Sequence, residues 1–186
     1  MKIFQVVIFL VLAALVYFIY QFIYMKPAFM VGEKVPSFKT KTIDGKNFSI
    51  DDLEGKLVLL EFWGTWCGPC RKQMPELSKL YRTYKDSLHG TFEIVSLAMD
   101  DDTTALRAVI NQDSLTWPYH LREPKNGGEI SNLYQIKQIP TSYLINDQGQ
   151  IIGVNPGMDE LKNWLTRVDQ VHHSKMREKE KAKQPD

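Results

Sequence analysis

The chain has 186 residues, 44% hydrophobic, 24% charged and 11% aromatic, so at about 150 residues per domain it holds one domain and a remainder. That apolar content excludes a disordered chain, and the lack of a Gly-X-Y period excludes collagen. A net charge of +1, from 23 Lys plus Arg against 22 Asp plus Glu, gives no field to gather nucleic acid, and two cysteines neither build a disulfide-rich scaffold nor fill a four-ligand zinc site alone.

The remainder lies at the N-terminus. Residues 3–24 (IFQVVIFLVLAALVYFIYQFIY) carry no charge, with Gln5 and Gln21 as the polar interruptions. A helix of this length, rising about 1.5 Å per residue, crosses a hydrocarbon core about 30 Å thick. The alternative is a cleaved signal peptide, whose apolar core is usually about 7–15 residues and ends at a small-x-small site. Here Ala13-Ala14 lies mid-run and the far end is aromatic (Tyr17, Phe18, Tyr20, Phe22, Tyr24), as suits a membrane interface. Segment 1–25 is therefore expected to be a retained signal-anchor, meeting the lipid bilayer through residues 3–24. Lys2 and the α-amino group precede it and Lys26 follows, which favours N-terminus in and domain out.

Residues 26–34 read as a linker, punctuated by Pro27 and Gly32 with Pro36 just beyond. The domain is expected over 35–172. Phe38 to Ile43, Asp44-Gly45 and Lys46 to Ile50 read as a hairpin, since Asp-Gly is a favoured turn. Leu57 to Trp63 (LVLLEFW) is a nearly continuous apolar run, typical of a strand buried on both faces. Pro69 to Leu88 carries Met74, Leu77, Leu80, Tyr81 and Tyr84 at helical spacing. A second buried strand is expected over Phe92 to Ala98 and a second helix over Thr103 to Gln112, with His89 read as a helix end and Asp100-Asp101-Asp102 as a favourable helix start. Trp117 and Tyr119 read as packing residues, with the substrate face as their other possible place. Thr141 to Ile145 and Gln150 to Val154 flank a second hairpin turn, and Met158 to His172 is the last amphipathic helix. This order predicts an α/β fold with a mixed sheet. The charged segment 173–186 reads as a disordered, solvated tail.

The chemistry gathers in Trp66-Cys67-Gly68-Pro69-Cys70. Two cysteines separated by two residues at a strand-to-helix junction are within disulfide reach. Cys67 then holds the helix N-terminus, where unpaired N–H groups and the dipole favour a thiolate. Pro69 is tolerated in the first turn because its missing N–H would have no partner there. Cys70, one turn deeper, is expected to be the resolving thiol. The competing readings are half a zinc site, completed by His172-His173, and an inert disulfide, whose short loop would gain little.

EFWGTWCGPC together with Ile139-Pro140-Thr141 resembles the thioredoxin superfamily. The apolar N-terminal segment, the first hairpin, the insertion around Asp100 to Asn126 and the YLINDQGQI hairpin resemble the membrane-anchored TlpA/ResA-like thiol–disulfide oxidoreductases. That resemblance implies a thioredoxin fold, with a central mixed sheet flanked by helices, an N-terminal β-hairpin and a central insertion. It implies a Cys67-Cys70 redox disulfide, no cofactor, protein disulfide or dithiol substrates, a membrane electron donor, and a catalytic domain outside a bacterial inner membrane. Cys67 matches the attacking cysteine and Cys70 the resolving one, with Gly68 and Pro69 supporting them. Trp66 would shape the substrate surface, and Pro140 matches the cis-proline that pairs with an extended substrate, flanked by Ile139 and Thr141.

Glu61, six residues before Cys67, matches the buried acid of thioredoxins. A carboxyl in a buried strand is costly unless neutral or paired, so proton transfer towards Cys70 is the functional reading and a solvated strand Glu the other. Gln73 is a departure: relatives commonly place Glu three residues after the second cysteine, and tuning assigned to that Glu does not transfer. No metal site is expected. Cys67 lacks the Pro-x-x-x-Thr-x-x-Cys setting of peroxidases. The expected activity is net disulfide reduction, the Gly-Pro dipeptide resembling reducing thioredoxins. An oxidase or isomerase, or a membrane-tethered binding module, is the alternative.

Overall fold

A computed structural model describes residues 2–24, 26–88 and 90–183; His89 and residues 184–186 of the expected tail lie outside them. Helix α1 (Lys2–Tyr24) is long and apolar enough to cross a membrane. Its side chains from Ile3 to Tyr20 stand exposed, and none in the span to Phe22 is buried.

Strands β1 (Lys39–Lys41) and β2 (Asn47–Ser49) form the first hairpin, antiparallel with Thr40 opposite Phe48. Gly45 turns it with a φ of 80°, a conformation that side chains resist. The main sheet follows: β3 (Leu57–Trp63), α2 (Gly68–Ser87), β4 (Phe92–Met99), α3 (Thr103–Gln112), β5 (Tyr119–Glu123), α4 (Glu129–Leu133), β6 (Thr141–Ile145), β7 (Ile151–Val154) and α5 (Met158–Lys183). Its five strands lie in the order β5-β4-β3-β6-β7. β3, β4 and β5 are parallel, whereas β6 and β7 run antiparallel to their neighbours. This is the α/β thioredoxin-like fold with a mixed sheet that the resemblance implied.

All seven residues of β3 are buried, as a central strand covered on both faces requires. Leu57, Leu59 and Trp63 face one core with Met74, Leu77 and Tyr81 of α2 and Leu161 and Leu165 of α5. Val58, Leu60 and Phe62 face the other, with Phe38, Tyr134 and Tyr143. Glu61 shares the odd parity of the α2 face, because side chains alternate along a strand.

Two expectations are corrected. Residues 26–34 are bonded to the domain as well as linking it to α1: Gly32 N–H donates to Ile151 O at 2.8 Å, Ile151 N–H to Glu33 O at 2.9 Å and Val35 N–H to Gly149 O at 3.0 Å. The segment bridges antiparallel to the chain entering β7, Lys34 opposite Gln150, and pairs with Ile151, the first residue of that strand. The tail read as disordered continues α5 to Lys183, its Arg, Glu, Lys and Ala being strong helix formers. The insertion also contributes a strand, β5, and Trp117 just before it and Tyr119 within it pack as read: Trp117 is buried, its indole N–H donating to Ser96 Oγ at 2.9 Å, and the Tyr119 ring lies 5.1 Å from that of Phe48.

Candidate active site

Strand β3 ends at Trp63, and the four-residue loop from Gly64 to Cys67 turns the chain into α2. Cys67 is the N-cap of that helix, and its Sγ accepts the Cys70 N–H at 3.2 Å. The two cysteines form a disulfide with their Cα atoms 5.2 Å apart. Cys67 keeps 5% of its surface open and Cys70 none, an asymmetry that follows from one sulfur standing at the helix mouth and the other a turn inside. Helix N–H groups and the dipole converge on Cys67 and favour its anionic form when reduced.

The loop is held from β4. Asp100, buried just past the end of that strand, accepts the Thr65 N–H at 2.9 Å and the Thr65 hydroxyl at 2.6 Å. Trp66 is 50% exposed, with its indole N–H on Met99 O at 2.8 Å and Lys125 Nζ 4.7 Å from its ring centroid. Gly64 leaves room for that indole: a Cβ there would lie 2.8 Å from Trp66 Nε1 and 3.3 Å from Ile139 Cδ1. Arg71 clamps the first turns of α2 to the end of α3 through a bidentate pair with Asp113, at 2.7 and 3.0 Å. The Ile139-Pro140 peptide is cis. Thr141, next along, pairs with Phe62 of β3, so the proline loop lies at the same end of the sheet as the cysteines. Gly68 and Pro69 are exposed between the sulfurs.

Glu61 is 2% exposed. Burial pushes its carboxyl up from 4.5 to about 8, against hydrogen bonding from Ser142 and Gln73, which pulls it down. Ser142 is its cross-strand partner in β6, and Gln73 reaches it from α2, Nε2 to Oε1, at 2.8 Å. Gln73 sits three residues past Cys70, so Glu61 is held under the helical turn that carries the inner sulfur. Sequence reasoning placed Cys67, Cys70, Trp66, Glu61, Ile139, Pro140 and Thr141 together, and the fold brings them to one end of the sheet. It missed Asp100 as the loop's anchor, Gly64, Lys125 and the Gln73–Glu61 bond. Of these, only the small residue at 64 beside a Trp left any local signal. His172 and His173 are far down α5, and the described residues hold no His, Cys, Asp or Glu cluster able to bind a metal.

Comparison with known proteins agrees with this geometry. Residues 31–154 match the AhpC/TSA family. Thiol-disulfide oxidoreductase ResA of Bacillus cereus is 35% identical over 170 residues, covering 89% of this chain and 95% of the relative. The thioredoxin domain of a thiol-disulfide oxidoreductase from Bacteroides vulgatus superposes with a TM-score of 0.66 at 26% identity, covering 75% of this chain and 98% of that one. A putative thiol:disulfide interchange protein DsbE from Chlorobium tepidum gives 0.62 at 26% identity, covering 76% and 99%. With a cysteine pair capping α2 beside a cis-proline, on a fold its relatives share over nearly their whole length, the chain belongs to the thioredoxin-like AhpC/TSA family and is a thiol–disulfide oxidoreductase.

Proposed function

We propose that this enzyme is tethered to a membrane by α1, faces the extracytoplasmic side, and reduces disulfides in proteins there. Cytochrome c maturation is the setting that the family resemblance supplies. The observation that carries the reading is the asymmetry of the pair, one sulfur at the helix mouth and the other buried on the helix whose Gln73, three residues on, bonds a buried carboxyl of raised pKa. The tether is supported by the apolar, uncovered side chains of α1, a helix long enough to cross a hydrocarbon phase that would bury them.

In the reduced enzyme the Cys67 thiolate attacks one sulfur of a substrate disulfide. A Cys67–substrate bond forms, the substrate S–S breaks, and the released thiolate takes a proton from solvent. Trp66, Ile139 and Thr141 present the surface for the substrate, and the backbone at Pro140 pairs with its extended chain. Cys70 then loses its proton to the Glu61 carboxylate and attacks Cys67 Sγ. The enzyme disulfide forms and the second substrate thiolate leaves, so two electrons pass from the dithiol to the substrate. A membrane donor of two electrons resets the pair.

Alkylation of the reduced full-length protein near neutral pH is expected to label Cys67 well before Cys70. The Cys70→Ser variant is expected to accumulate mixed disulfides released by a thiol reductant. Preferential labelling of Cys70, or no thiol-sensitive adduct, overturns the assignment. A membrane-impermeant thiol reagent is expected to reach Cys67 in cells with only the outer envelope opened; protection until the inner membrane is lysed places the domain in the cytoplasm.

A further inference from the structure

The three aspartates that follow β4 read in the sequence as one helix start, but the fold divides them. Asp102 caps α3, its Oδ1 accepting the Thr104 and Ala105 N–H groups at 2.7 and 3.2 Å. Asp100 holds Thr65 of the cysteine loop. Asp101 reaches the other way: its Oδ1 accepts the Lys125 N–H at 3.0 Å. Met99, the last residue of β4, takes the Trp66 indole N–H on its carbonyl. The end of β4 thus ties the cysteine loop to the turn between β5 and α4.

That turn is anchored on both sides. Asp100 N–H donates to Glu123 O and Gly127 N–H to Pro124 O, each at 2.9 Å, and Arg122 Nη1 donates to Asp100 O at 2.9 Å. The buried Glu123 carboxylate takes the Ile130 and Ser131 N–H groups at 2.6 and 2.9 Å. Lys125 is therefore carried on fixed backbone, and its Nζ stands 4.7 Å from the centroid of the Trp66 ring. The side chain is exposed, and the ion pairs among the described residues leave its ammonium out. A cation over a ring face keeps N–H donors turned to water, free to meet a carboxylate. Trp66 is the neighbour of Cys67 and half-exposed, so a chain reaching that sulfur passes Lys125 within a few residues of extended backbone.

On the reading of Cys67 as the attacking thiolate, we propose that Lys125 is a specificity-determining residue of the redox face and that Asp101 positions it. The substrate class it selects is a protein whose reactive disulfide is flanked by Asp or Glu. A flanking carboxylate pairs with the ammonium beside Trp66, whereas a flanking Lys or Arg meets like charge. Trp66 contributes by packing the lysine stem and head over its ring. The pair forms at a wet rim, where a charge acts on the rate of encounter more than on the strength of the finished complex.

The test uses the reduced full-length protein in mild detergent and three cyclic disulfide peptides that differ only beside one cysteine, in Glu, Gln or Lys. Each turnover passes two electrons from the Cys67–Cys70 dithiol to the peptide disulfide, and the released peptide thiols are counted in single turnovers. At low salt the wild type is expected to reduce the Glu peptide about fivefold faster than the Gln peptide and the Lys peptide slower still; at high salt the three rates are expected to converge. Lys125→Met, which keeps the stem over the indole, is expected to remove the preference, and Lys125→Glu to reverse it. Asp101→Ala is expected to weaken the preference, and Asp101→Asn, which keeps an acceptor for the Lys125 N–H, to preserve it. Alkylation of Cys67 by neutral iodoacetamide is expected to run at one rate in all of them. Equal rates for the three peptides in the wild type overturn the assignment. So does an alkylation rate that follows the peptide rates across the variants, because Lys125 would then act on the thiolate and not on the substrate. If the wild type reduces no peptide, the redox reading fails, and Lys125 is judged by binding alone: fluorescein-labelled peptides with Ser in place of Cys are titrated with the oxidised protein by fluorescence polarisation. Tighter binding of the Glu peptide than of the Lys peptide is expected there, and equal affinities overturn the proposal.

Discussion

Replacing Glu61 by Gln keeps the shape of the side chain and removes its charge, and the buried setting makes the outcome strongly pH-dependent. In the unfolded chain the carboxyl titrates near 4.5; in the folded protein burial holds it protonated up to about 8. Between those values the native state binds more protons than the unfolded one, so stability falls as pH rises, by about 1.36 kcal/mol per pH unit. Below about 4.5 both states are protonated and the penalty vanishes; above about 8 it levels off at roughly 5 kcal/mol. Glu61→Gln is therefore expected to be close to neutral at pH 5 and stabilising by several kcal/mol at pH 9.

Urea unfolding of the oxidised full-length protein in mild detergent, followed by tryptophan fluorescence at pH 5, 7 and 9, measures this. Taking the difference between variant and wild type at each pH cancels the other titrating groups. A constant difference across that range would mean that Glu61 is solvated or ionised in the native state, and the argument from burial would fail. The same variant is expected to resolve mixed disulfides more slowly, by about 10²-fold, with the first attack by Cys67 unchanged. Gain in stability together with loss in the second step is the signature of a costly group retained for chemistry.

Gly64→Ala places a methyl 2.8 Å from Trp66 Nε1 and 3.0 Å from Cε2, so the indole must leave Met99 O; kcat/KM for a protein disulfide is expected to drop several-fold while the alkylation rate of Cys67 holds, and an unchanged kcat/KM would show that Trp66 does not shape the substrate surface. His120, buried with Ser96 Oγ 2.9 Å from its Nδ1, is held down to about 4 mainly by burial. Wild type is thus expected to lose roughly 3 kcal/mol as pH falls from 6.5 through about 4, since the unfolded chain takes up the proton first; in His120→Gln that slope should disappear from urea unfolding curves, whatever the absolute stability.

The strands and helices that frame the cysteines were legible because each obeys one local rule. β3 is a run of apolar residues bounded as expected at Leu57 and Trp63, and α3 starts where Asp102 caps it, accepting the Thr104 and Ala105 N–H groups. β5 was not, because Tyr-His-Leu-Arg-Glu shows no apolar run. Two of its polar members, His120 and Glu123, are buried, with bonds made elsewhere: His120 to Ser96, and Glu123 to the N–H groups of Ile130 and Ser131 at the start of α4. The docking of residues 32–35 was hidden for a similar reason, since their hydrogen bonds go to residues more than a hundred positions away and no periodicity in 26–35 announces them. At the site, the cysteines, the proline and Glu61 stand out by residue type. Asp100 binding Thr65 and Gln73 binding Glu61 are relations between elements, visible only once β4 and α2 are packed against β3.

The Gln73–Glu61 bond also accounts for the division of labour between strand and helix. Were position 73 a Glu, its carboxyl, half-buried on α2, and that of Glu61 would lie within hydrogen-bond distance and titrate as a coupled pair. With an amide there, Gln73 donates to Glu61 and the pocket has a single carboxyl to titrate. Its strength suits the task. Towards any one thiol, a carboxyl near 8 is a stronger base than an ordinary one near 4.5 by about 5 kcal/mol. Holding that carboxyl ionised at pH 7 costs about 1.4 kcal/mol. On the proposed mechanism, the burial that weakens the fold at high pH is what makes Glu61 a base of fitting strength for Cys70.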